Sequence, residues 1–80
     1  PRDKKISLIK ETALSIPGVK DAHDIRVRQS GSHYLVDLDI CVDKNMTLNK
    51  AHEIADVVRS NIYNVIDKIY EVKIHVDPMK

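Results

Sequence analysis

Three of the four histidines have an acid as a near neighbour: His23 precedes Asp24, His52 precedes Glu53, and His75 stands two residues before Asp77. Imidazole nitrogen and carboxylate oxygen together make the usual shell of a borderline divalent metal. Other chemistries find little support. The chain has no G-x-S-x-G, no H-E-x-x-H and no glycine-rich phosphate loop, and two glycines leave little material for a phosphate cradle. The expected role is therefore ion binding, not catalysis.

His75 and Asp77 are the strongest pair. Two residues apart on a strand, they share a face and stand roughly 6.5 Å apart along it. Side chains of that reach can converge on one ion with bonds near ~2.0–2.2 Å. The plainer alternative is a solvated edge-strand histidine beside a strand-ending acid. Asp39, on the exposed side of another strand, joins them if the strands are adjacent; otherwise it is a surface acid opposing Lys73. His23 opens a strand beside Asp24, a place where a lone histidine is more often a surface residue. His52 falls in the first turn of a helix, and periodicity slightly favours a partly buried packing residue there. His33 lies at a hairpin turn and reads as solvated. Cys41 shares parity with Asp39 and could add a thiolate. A single strand cysteine is more often a small apolar residue, so it is left outside the site. Arg26 and Arg28 read as a salt-bridged strand face before a phosphate patch.

The elements that must position these residues follow from periodicity. Ile6, Ile9, Ala13 and Ile16 recur at helical spacing until Pro17-Gly18 stops the helix. From Ala22 the period becomes two, and Ser30-Gly31-Ser32 turns the chain. Tyr34, Val36, Leu38, Ile40 and Val42 then line one face of a second strand, with Leu35, Asp37, Asp39 and Cys41 on the other. Asp43-Lys44-Asn45 closes that segment. Thr47 is a good N-cap for a second helix whose buried stripe is Leu48, Ala51, Ala55, Val58 and Ile62. A last strand turns Val72, Ile74 and Val76 inward and Lys73, His75 and Asp77 outward until Pro78 ends pairing. The order is αββαβ. Two helices cover one face of a three-stranded sheet in an open α+β sandwich, leaving the other face with its acids and histidines uncovered. Such a face needs solvent, a ligand or a second subunit.

With 80 residues, the chain forms one domain, residues 1–80, whose core is marginal alone and suited to support from a metal or a partner. One cysteine excludes an internal disulfide and fits a reducing compartment. A net charge of +1 gives no long-range pull on nucleic acid or anionic lipid. Aromatics amount to 4%, with no Phe or Trp, so base-stacking RNA recognition on the open sheet is disfavoured. A copper-carrier C-x-x-C loop is ruled out. No apolar run approaches the ~20 residues of a membrane helix. Pro1 opens the chain without an initiator methionine, which reads as a domain cut from something longer.

Pro17-Gly18-Val19, His23 through Gly31 (HDIRVRQSG), Ala51 through Asp56 (AHEIAD) and Ile74-His75-Val76-Asp77-Pro78, in that order, resemble one known family. It is the C-terminal cytosolic domain of the cation diffusion facilitators, membrane transporters that export divalent metals. The resemblance covers nearly the whole chain. It implies a ferredoxin-like, metallochaperone-like αββαβ fold, a cytoplasmic location, a V-shaped homodimer and attachment to a transmembrane domain of the same polypeptide. It also implies regulatory metal at or near the subunit interface, on His23, His52, His75 and Asp77. Zinc is the first expectation. Members with a fuller site often carry histidine where this chain has Asp39. Oxygen in place of nitrogen there leaves manganese, iron, cobalt, nickel or cadmium open as well. A purely structural dimerisation module and a stand-alone soluble metal carrier are the alternative readings.

Overall fold

A first helix, α1 (Arg2–Leu14), begins with Asp3 in its first turn, where a carboxylate complements the helix dipole. The computed structural model, which describes residues 2–79, buries Ile9 and Ala13 of this helix completely; Pro1 lies outside the described residues. The helix stops two residues before the expected Ile16. Ser15 and Ile16 make tightening turns onto Glu11, Thr12 and Ala13 carbonyls, and Ile16 packs against the core from that turn. Pro17 cannot donate a backbone hydrogen bond, and Gly18 adopts φ +101°, a conformation that side chains resist.

Strand β1 (Asp21–Ser30) runs antiparallel to β2 (His33–Asp43), joined by Gly31-Ser32 with Gly31 at φ +60°. Along β2, Val36, Leu38, Ile40 and Val42 are buried, while Leu35, Asp37, Asp39 and Cys41 are half-buried on the opposite face. The alternation read from sequence holds there over eight residues. It fails in β1. Asp24 and Ile25 together oppose Leu38 in a bulge, with Asp24 at φ +52°, and Ile25 packs against the core.

Helix α2 (Leu48–Val65) starts at Thr47, whose side chain accepts a hydrogen bond from the Lys50 amide at 3.1 Å. It buries Ala51, Ile54, Ala55, Val58 and Ile62. Leu48, expected in that stripe, is 71% exposed, and Ile54 takes its place. Strand β3 (Ile69–Met79) then pairs parallel to β2, reached through the helical crossover that parallel pairing requires. The sheet order is β1-β2-β3, with β2 central. Pairing continues past Pro78, which aligns with Val42. Proline is tolerated because β3 is an edge strand and the missing donor can face outward. Both helices pack on one side, and Ile9, Val36, Leu38, Ile40, Val58 and Ile62 form the driest part of the core. Among the described residues no helix is long and apolar enough to cross a membrane.

Candidate metal centre

The register of the sheet arranges the polar residues of the open face in two rows. His23, Asp39 and His75 are successive partners across β1, β2 and β3; the next row is Asp21, Cys41 and Asp77. Six side chains able to ligate thus occupy neighbouring positions, because each lies on the strand face that the apolar alternation leaves outside.

Side-chain geometry selects among them. One donor atom each from His23, Asp39 and Asp77 lies within 4.8 Å of the others. His23 Nδ1 stands 3.9 Å from Asp39 and 3.2 Å from the carboxylate of Asp24. Among the described residues Asp39 has no ion-pair partner but His23, and Asp77 has none. The basic residues of this face sit elsewhere: Arg28 pairs with Asp37 at 3.1 Å, and Lys73 aligns with that same Asp37. Asp39 therefore opposes His75, not Lys73, and the plain-surface-acid alternative loses its partner. Arg28 bonds an acid, which is the salt-bridged reading of the arginine face.

His75 occupies the register position beside Asp39 but falls outside that group of three. His52 is exposed, not partly buried, and rides on the helical layer across the sheet from Asp39. His52 and His75 line one open groove of about 660 Å³, together with Asp43, Asp56 and Pro78. The single chain therefore gathers His23, Asp39 and Asp77 on the sheet and leaves His52 beyond their reach. His33 is exposed at the hairpin and bonds only its neighbour Ser32.

A second group was not legible in full. Asp21, His23 and Cys41 also bring donor atoms within 4.8 Å of one another. Cys41 is half-buried, not a core residue, and its Sγ lies 3.4 Å from His23 Nε2. Partial burial, then the negative charges of Asp21, Asp77 and Asp39, push its thiol up from the ordinary range. Parity with Asp39 was the signal for Cys41. Asp21 has none, since the alternation read from sequence starts at Ala22.

The mixed nitrogen and oxygen donors, their convergence and the scarcity of competing cations suit a borderline divalent ion. The sequence and fold are also shared with known proteins. Residues 1–79 match the family model described as cation efflux protein, cytoplasmic domain. The chain is 36% identical over 75 residues to metal tolerance protein C1 of Arabidopsis thaliana, covering 94% of this chain and 16% of that protein. It is 36% identical over 78 residues to the cation-efflux pump FieF of Serratia proteamaculans, covering 98% of this chain and 25% of the pump. A 35% match over 60 residues joins it to the manganese efflux system protein MneP of Bacillus subtilis, covering 75% of this chain and 20% of that protein. Among solved structures, a cadmium form of a MamM CTD variant superposes with TM-score 0.93 at 25% identity, each chain fully covered. The chain spans a quarter or less of these curated relatives' length. With the αββαβ order and the sheet topology in agreement, the chain belongs to the cation efflux family, as its cytoplasmic domain.

Proposed function

We propose that this domain senses a divalent metal for a membrane efflux transporter, binding the ion on its open sheet face and tightening a homodimer in response. The observation that carries this reading is the convergence of His23, Asp39 and Asp77 within 4.8 Å on a face that no helix covers. Without an ion, carboxylates that close repel one another and must stay hydrated. A bound cation compensates both charges, fastens β1 to β2 and β3, and makes the face less polar toward a partner. The domain then acts by shifting a population between arrangements of two subunits, not by catalysing a reaction.

His52 fits this reading only across a subunit boundary. It cannot reach its own chain's cluster, but a second copy laid against the groove it shares with His75 could present it there. Residues 1–80 form the regulatory and dimerisation unit, and the transport path belongs to membrane helices of the same polypeptide. Zinc is the preferred ion by donor chemistry. The manganese in the name of MneP and the cadmium form of MamM CTD keep harder and softer ions in play.

Calorimetric titration with zinc in a Cys41→Ser background tests the site, since that substitution leaves these three donors in place. Saturable heat is expected, and it should vanish in the Asp39→Ala/Asp77→Ala variant while circular dichroism stays folded. Unchanged heat in that variant would show that the ion binds elsewhere.

A further inference from the structure

The second group on the open face holds chemistry that the sensing cluster does not use. His23 Nε2 lies 3.4 Å from Cys41 Sγ. A nitrogen and a sulfur bound to one tetrahedral zinc at about 2.0 and 2.3 Å stand ~3.5 Å apart. The pair is therefore already at chelating separation.

The other edge of the ring is engaged independently. His23 Nδ1 is 3.2 Å from the Asp24 carboxylate. A carboxylate there favours the tautomer with the proton on Nδ1, which donates to Asp24 and turns the Nε2 lone pair toward sulfur. Carboxylates orient metal-binding imidazoles in this way. The β1 bulge supplies the geometry, since Asp24 at φ +52° interrupts the alternation and brings its side chain beside the ring. Asp21 completes the set: it pairs in register with Cys41, and all three residues are half-buried. Lys10 stands 3.7 Å from Asp21, so an ion bound there would share or displace that ammonium.

We propose that Asp21, His23 and Cys41 form a second metal site, sharing His23 with the carboxylate-rich cluster, that takes a thiophilic divalent cation such as cadmium or zinc. As the sulfur–metal bond forms, the thiol proton passes to solvent and the ion is held by Sγ, Nε2 and a carboxylate oxygen. Asp24 remains outside the ion's shell as the partner of Nδ1. Thiolate favours soft ions, whereas the His23, Asp39 and Asp77 donors suit harder ones. Both sets draw on one imidazole, so filling one weakens the other. In a domain that senses metal as proposed above, this would let the face report which ion is present.

The test is a cadmium titration of the reduced chain, followed by thiolate-to-cadmium charge-transfer absorption in the ultraviolet. Saturable absorption is expected in the unmodified chain and in Asp39→Ala/Asp77→Ala. It should disappear in Cys41→Ser. Loss of an orienting group alone costs metal sites about 10–100-fold in affinity, so Asp21→Asn and His23→Ala should each weaken it roughly tenfold or more. Absence of the band in the unmodified chain overturns the site. So does a band of unchanged affinity in both Asp21→Asn and His23→Ala, which marks a lone thiol. Loss of the band in the folded Asp39→Ala/Asp77→Ala variant also overturns it, since the sulfur then belongs to the other cluster. Manganese binding, read by electron paramagnetic resonance, reports the carboxylate cluster separately, so either reading can fail without the other.

Discussion

His23 and Asp39 face one another in register across the β1–β2 hairpin, with Nδ1 3.9 Å from the nearer carboxylate oxygen. Strand pairing sets that separation, so the site is as rigid as the sheet. An ion between this half-buried acid and the imidazole needs the ring nitrogen that faces Asp39 to be unprotonated.

Metal affinity should fall steeply between pH 7.5 and about 5.5. Imidazole ligates only when neutral, its ordinary pKa lies near ~6.5, and protons then compete with metal. Carboxylate-only binding would persist to about pH 4. Zinc titrations of the Cys41→Ser chain across this range separate the two, and a flat affinity would make the histidine a bystander.

Cys41 should alkylate more slowly than a free thiol at pH 8, because burial and three acids hold its thiol protonated. Asp21→Asn should speed the reaction. Stabilisation by the neutral thiol is complete below the ordinary thiol pKa and is lost as pH rises through the folded one. Cys41→Ser should therefore flatten the alkaline loss of stability in urea titrations.

Gly18→Ala should destabilise the fold by about 1–3 kcal/mol. Its backbone stands at φ +101°, and an added Cβ would fall 2.4 Å from Cδ1 of buried Ile54. Gly31→Ala, at φ +60° with open space around it, carries only the backbone cost of about 1–2 kcal/mol. Equal losses in chemical denaturation would mean that the contact with Ile54 contributes nothing.

The frame of the site was readable because β2 alternates without a break from Leu35 to Val42, which assigns Asp37, Asp39 and Cys41 to one face. Thr47 marked the start of α2 just as plainly. What period alone could not show was the bulge, since two residues opposite one leave no trace in an alternation of mixed side chains. Leu48 misled because it fits the helical stripe, yet it sits in the first turn, beyond the sheet that would cover it. His75 does share the open-face row with His23 and Asp39, and His52 rides on the helical layer, but which donor atoms converge in a single chain depends on side-chain rotamers that no sequence pattern encodes.

The chain should be a homodimer in solution. A small domain with an uncovered polar sheet face and an open groove favours a symmetric partner. Light scattering at high concentration, with and without zinc, should give twice the 9.1 kDa chain mass. A monomer under both conditions contradicts this.

An ion on His23, Asp39 and Asp77 should change how two copies sit together. The most direct test is the distance between spin labels on exposed Ser60→Cys in a Cys41→Ser background, measured by double electron–electron resonance with and without zinc. Zinc should shorten and narrow the distance distribution at neutral pH, and Asp39→Ala/Asp77→Ala should leave it unchanged. A distribution that ignores zinc in the intact cluster, or that shortens equally without it, would contradict the claim.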